Sequence, residues 1–97
     1  MSNREFSVLL SVYSGERADF LREALKSIVN QTLPATQIVI VKDGALSIDL
    51  NSLINNFESE NSNVLVVGYL DNKGLGRALS YGLGFVSNEF VIRCDSD

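Results

Sequence analysis

Ile38-Val39-Ile40-Val41, followed at once by Lys42-Asp43-Gly44, is the stretch on which the fold turns. Four consecutive β-branched residues fit a strand covered on both faces, because a half-buried strand would alternate apolar with polar positions. Phe6-Ser7-Val8-Leu9-Leu10, Val64-Leu65-Val66-Val67 and Phe90-Val91-Ile92 read the same way. Helical spacing fills the intervals. From Ala18 to Gln31 the apolar residues Leu21, Ala24, Leu25, Ile28 and Val29 recur with a 3.6-residue period. Leu50, Leu53, Ile54 and Phe57 predict a shorter helix with Ser47 or Asp49 as its N-cap. Leu75, Ala78, Leu79, Leu83 and Val86 predict a third, with Asn72 available as its cap and Gly82 and Gly84 permitting close approach to a strand. The order β-α-β-α-β-α-β with right-handed crossovers predicts an α/β fold: half of a doubly wound, three-layer αβα architecture, Rossmann-like, around a mainly parallel sheet.

Composition narrows the function. A chain of 97 residues suits one small domain but is short for an enzyme holding two substrates, so residues 1–97 read as a single partial domain. The net charge of -4 and the absence of a Lys/Arg cluster argue against nucleic acid as a partner. No apolar run approaches the roughly 20 residues of a membrane span. Met1 to Glu5 lead straight into a strand-like run without a signal-peptide core, which predicts a cytoplasmic protein. Cys94 is the single cysteine and there is no histidine. An internal disulfide is therefore impossible, an activated thiol is disfavoured, and Cys94 reads as a buried, reduced residue at a strand end. Metal or proton chemistry falls to carboxylates, which suit hard, oxygen-seeking cations.

Ligands of open parallel sheets bind outside the carboxyl ends of the strands, and each end here carries polar residues. Ser11, Tyr13, Ser14 and Gly15 follow the first strand, Lys42-Asp43-Gly44 the second, Asp71-Asn72-Lys73-Gly74 the third and Asp95-Ser96-Asp97 the fourth. Tyr13 offers a face for stacking a nucleobase, or it packs. Asp43 can accept hydrogen bonds from a base or ribose, or serve a simple Asp-Gly turn. Lys73, Gly74 and Arg77 open the third helix, where backbone N–H groups favour a diphosphate, although turn chemistry and a solvated charge explain them equally well. Asp95 and Asp97 converge on one cation if the tail turns, and diverge if it is extended. The coincidence of all four on one sheet edge favours a site.

Taken in order, Ser7 to Glu16, Leu25 to Thr32, Ile38 to Gly44, Asn72-Lys73-Gly74-Leu75-Gly76 with Ala78-Leu79, and Phe90 to Asp97 resemble the family 2 glycosyltransferases with the GT-A fold, over nearly the whole chain. The resemblance implies sugar transfer, with inversion, from a nucleotide-diphospho-sugar to a hydroxyl acceptor in bacterial-type polysaccharide or glycolipid synthesis. It puts the nucleoside on Ser11, Tyr13 and Asp43, and the diphosphate and sugar along Asn72, Gly74 and Arg77. Asp95 and Asp97 become the D-x-D pair, with Asp95 touching ribose and both binding Mn²⁺ or Mg²⁺. It further implies a nucleotide sugar, UDP-linked by preference, a glycan or lipid-linked acceptor, and work at the inner face of the membrane. The general base is expected on a carboxylate beyond Asp97. Lys42 departs from the two acids usual before the glycine, and Ser14 from the usual asparagine; the lysine reads as a change of surroundings around a retained Asp43. Other classes fit less well. A sugar nucleotidyltransferase wants a glycine-rich loop after the first strand, which Tyr13-Ser14-Gly15-Glu16 is not, and Gly74-Leu75-Gly76 sits after the wrong strand for a dinucleotide dehydrogenase. A non-catalytic remnant, dimerising through an uncovered sheet edge and binding only a nucleotide or a partner, stays open.

Overall fold

The computed structural model describes residues 5–31 and 33–94. Among these residues seven elements alternate: β1 (Phe6–Tyr13), α1 (Ala18–Val29), β2 (Gln37–Asp43), α2 (Ile48–Glu60), β3 (Val64–Tyr69), α3 (Leu75–Leu83) and β4 (Phe90–Cys94). The strands form one parallel sheet in the order β3-β2-β1-β4. The order reverses between β1 and β4, which is where open α/β sheets leave a crevice at their carboxyl edge.

Alternation of side chains along β1 and β2 divides the core into two. Val8, Leu10, Ile38 and Ile40 meet Leu21, Leu25 and Ile28 of α1 and Leu50, Ile54 and Phe57 of α2 on one face. Leu9, Val39 and Val41 meet Ala78 of α3 on the other. The three-layer αβα arrangement follows from that division, as the sequence pattern predicts. Both faces of β1 and β2 are buried, whereas β3 and β4 are edges, with Phe90 56% and Ile92 53% exposed. An apolar run thus marks a strand here without guaranteeing cover on both of its sides.

Local chemistry sets the helix ends. Ser47, not Asp49, caps α2, its Oγ accepting from Leu50 N at 3.2 Å. Helix α1 stops at Val29, two residues before Gln31, and Val29 faces solvent. Asn72 does not cap α3. Gly74 occupies the N-cap with φ +93 and no side-chain bond, while Asn72 is engaged elsewhere. Of the two helix glycines, only Gly82 reflects close packing, since a Cβ there would sit 2.5 Å from Leu9 Cδ1 and 2.7 Å from Val41 Cγ2. Gly84 ends the helix and would meet only the Tyr81 carbonyl. Cys94 is half-buried against the α1/α2 core.

Candidate functional site

Strand register assembles the site. Tyr13 pairs with Asp43 and Asp43 with Tyr69, so the last residues of β1, β2 and β3 form one row at the carboxyl edge of the sheet. Parity with Leu9, Val41 and Val67 puts the row on the α3 face. Ser11 lies one step back on the same face, half-buried and paired with Val41. Tyr13 is 45% exposed. Its ring lies over Gly15, where a Cβ would come within 2.5 Å of Tyr13 Cε2. The turn after β1 therefore leaves an aromatic face open to solvent.

Asp43 is the centre of the row and is only 2% exposed. A buried carboxylate must find donors, and this one finds four. Its Oδ1 accepts from the Tyr69 hydroxyl at 2.8 Å and from Lys73 N at 2.8 Å. Its Oδ2 accepts from Gly74 N at 3.1 Å and from Asn72 Nδ2 at 3.2 Å, and Asn72 Nδ2 also donates to the Asp43 carbonyl at 3.2 Å. Asn72 is drawn from the helix cap to this carboxylate because bonds to an ionised acceptor are the stronger kind. Gly44 brings the loop close. With φ +92 it follows Asp43 in a conformation open to glycine, and a Cβ there would be 2.9 Å from Asn72 N.

Tyr69 is fixed from several sides. Tyr81 meets its ring edge-on at 5.1 Å, and Lys73 Nζ lies 5.4 Å from its centroid. Burial, followed by the hydrogen bond to Asp43 and the charges of Asp43 and Tyr81, pushes its hydroxyl from 10.0 up to about 12. It remains a donor well above neutral pH. Lys73 and Arg77 are exposed at the start of α3, and a Cβ on Gly74 or Gly76 would meet nothing within 4 Å. Gly74 and Gly76 thus border open space at the start of α3, while the N–H groups of Lys73 and Gly74 are already taken by Asp43.

The structure joins Tyr13, Asp43, Asn72 and Gly74, keeps Ser11 one row away, and sets Arg77 in the first turn of α3. Asp95 and Asp97 lie outside the described residues. Lys42 points to the α1/α2 face, opposite Asp43, over Gly68, whose Cβ would be 2.8 Å from Lys42 Cβ. The lysine therefore leaves the surroundings of the Asp43 carboxylate untouched. A cleft of about 580 Å³ opens there between Lys42, Leu46, Asn51 and Tyr69. A second, of about 550 Å³, runs between α1 and α2 past Lys26, Leu53 and Phe57, away from the polar strand ends. Sequence reasoning misses Tyr69; extending the third apolar run by two residues at the parity of Val67 would find it. Among the described residues no cluster of three or more Asp, Glu, Cys or His is placed to hold a metal ion.

The sequence model of glycosyl transferase family 2 matches residues 7–97. An uncharacterized glycosyltransferase of Haemophilus influenzae is 41% identical over 96% of this chain and 34% of its own length. The UDP-Gal:alpha-D-GlcNAc-diphosphoundecaprenol beta-1,3-galactosyltransferase of Escherichia coli is 38% identical over the same shares, 96% and 34%. The chain thus spans about a third of the length of these relatives. Among solved structures, a mannosyltransferase from Pyrobaculum calidifontis in complex with GDP-Man and Mn²⁺ superposes with a TM-score of 0.81 at 22% identity, covering 96% of this chain and 27% of the other. That likeness speaks to the fold.

Proposed function

The chain belongs to glycosyl transferase family 2, and on that premise we propose that it is the nucleotide-sugar-binding part of an inverting, metal-dependent glycosyltransferase of bacterial-type polysaccharide or glycolipid synthesis. The observation that carries the reading is the row Tyr13–Asp43–Tyr69 with the start of α3 pinned to its middle member. It puts an exposed aromatic face and a helix N-terminus on one sheet edge, beside the point where the strand order reverses.

In this reading Tyr13 stacks on the base with Ser11 beside it, while Asp43, its acceptor positions filled, serves the nucleotide by holding residues 72–74 in place. Asn72, Gly74 and Arg77 lie along the diphosphate and sugar. The E. coli relative, named for UDP-Gal and a diphosphoundecaprenol-linked acceptor, supports a UDP-sugar and a lipid-linked acceptor. A cytoplasmic enzyme working at the inner face of the membrane fits that pair; among the described residues no helix is long and apolar enough to cross a bilayer.

Asp95 and Asp97 are the proposed ligands of Mn²⁺ or Mg²⁺, with Asp95 also touching ribose. Asp43 does not compete for that cation, because its acceptor positions are filled by four donors. Bound to Asp95 and Asp97, the cation would neutralise charge building on the leaving diphosphate. The residues of this chain hold the donor so that its anomeric carbon faces the acceptor hydroxyl, which attacks as the C–O bond to the diphosphate breaks. The base that takes the hydroxyl proton is proposed to lie beyond Asp97, so the 97 residues alone should bind a donor without turnover.

Isothermal titration with UDP, GDP and their sugars, with and without Mn²⁺, tests the reading. Binding that tightens with Mn²⁺, and loses that response in Asp97→Ala, supports it. Absence of nucleotide binding, or a metal response that survives Asp97→Ala, overturns the corresponding part.

A further inference from the structure

The Asp43 carboxylate is full. A carboxylate offers about four acceptor positions, and Tyr69, Lys73, Gly74 and Asn72 occupy them at 2.8, 2.8, 3.1 and 3.2 Å. Three of these donors come from consecutive residues, 72 to 74, the segment leading into α3. The fourth, the Tyr69 hydroxyl, comes from the sheet and belongs to the residue paired with Asp43 in the parallel register.

That difference gives Tyr69 a separate task. The last torsion of an aspartate is soft, with no sharp rotamer to hold it. The three loop donors move with the loop, so they cannot by themselves fix the plane of the carboxylate relative to the sheet. The Tyr69 hydroxyl can, because its ring is held edge-on by Tyr81, whose own hydroxyl donates to the Gly68 carbonyl at 3.3 Å. The hydroxyl remains protonated through the neutral range.

We propose that Tyr69 is a positioning residue of the donor site: by holding Asp43 Oδ1 it fixes the carboxylate plane, and thereby places residues 72–74 and the first turn of α3 against the diphosphate of the donor. The inference rests on the donor-site reading above and goes beyond it in assigning a role to a residue that reading leaves without one. A merely structural Tyr69 would affect stability alone, whereas a positioning Tyr69 affects the diphosphate more than the nucleoside.

The test is Tyr69→Phe, which keeps the ring against Tyr81 and removes the hydroxyl. Its fold is checked by the amide spectrum, in which the Lys73 and Gly74 signals report the loop without any ligand. UDP and uridine are then titrated into wild type and variant well below the unfolding midpoint, with GDP and guanosine in parallel. The expected result is displaced Lys73 and Gly74 signals, diphosphate affinity weaker by about three- to tenfold, as for one lost bond to a charged group acting indirectly, and nucleoside affinity within about twofold of wild type. Unmoved amide signals, unchanged diphosphate affinity, or an equal loss for nucleoside and diphosphate would each overturn the inference while leaving the donor site standing. Wild type that binds neither nucleotide would sink the donor-site reading itself, and the inference with it. Should Tyr69→Phe fail to fold, Tyr81→Phe loosens the Tyr69 ring while leaving the hydroxyl of Tyr69 in place, and a smaller loss confined to the diphosphate is expected; none would count against the role.

Discussion

Strand β2 holds α3 at both ends, by opposite kinds of chemistry. Gln37, its first residue, donates from Nε2 to the Phe85 carbonyl just past α3, and its Oε1 accepts from Ser7 Oγ, Ser87 N and Ser87 Oγ at 2.8, 2.9 and 3.2 Å. Asn88 Nδ2 closes this knot by donating to Ser7 Oγ. Asp43, its last residue, gathers Tyr69, Asn72, Lys73 and Gly74 before α3 begins. The amino-edge knot contains no charge and is partly open to water. The carboxyl-edge clamp is built on a buried charge. A neutral network can lose a member and have water replace it, whereas a buried carboxylate passes each lost donor on as uncompensated charge. The edge that the sheet leaves for a ligand is therefore the edge whose geometry is held most strictly.

The contrast between the two edges breaks most visibly at Asp43. Asp43→Asn keeps the shape but turns one acceptor into a donor facing N–H groups of the loop, so a loss of about 3 kcal/mol in urea unfolding is expected. Nucleotide binding should disappear with it. A variant as stable as wild type would show that the clamp is ornamental. Gln37→Ala at the other end should cost only about 1–2 kcal/mol, the value of a few neutral, partly exposed bonds, and should leave nucleotide affinity within about twofold. If Gln37→Ala weakened nucleotide binding as much as Asp43→Asn, the division of labour between the two edges would be wrong.

Neither network is legible as such in the sequence. The strands and helices are, because each depends on a local period: the run Ile38 to Val41 and the spacing of Leu21, Leu25 and Ile28 need only their neighbours. Which strand lies at an edge depends on sheet order, so Val64 to Val67 and Phe90 to Ile92 look as buried as the central runs and are not. Asn72 is a good cap by residue type, and it is diverted by a carboxylate 29 residues away. Ser7 and Asn88 meet across 81 residues, and Tyr69 and Asp43 across 26, with nothing in either local pattern to announce it. In the candidate site, Tyr13, Asp43, Asn72 and Gly74 stand out by position alone, because each lies at or just past the end of a strand. Position does not reveal that Asp43, readable as a turn residue, is buried and bonded on all sides.

The finest probe of the difference between the edges is pH. Titration of Tyr69 touches only the clamp, since the knot of Ser7, Gln37, Ser87 and Asn88 has no ionisable member. The hydroxyl is raised from 10.0 to about 12 by burial first and by Asp43 next. In the unfolded chain it loses its proton near the lower value, while in the folded chain it keeps the proton until the higher one. Between the two, the folded state binds more proton than the unfolded state, so stability falls as pH rises. The contribution is complete below about pH 10 and gone above about pH 12. Unfolding midpoints measured across that window should therefore fall more steeply for wild type than for Tyr69→Phe, with the other ionisable groups common to both. Gln37→Ala should track the wild-type slope from a lower starting point. Parallel curves for wild type and Tyr69→Phe would mean that the Tyr69 hydroxyl is not held by Asp43 in solution.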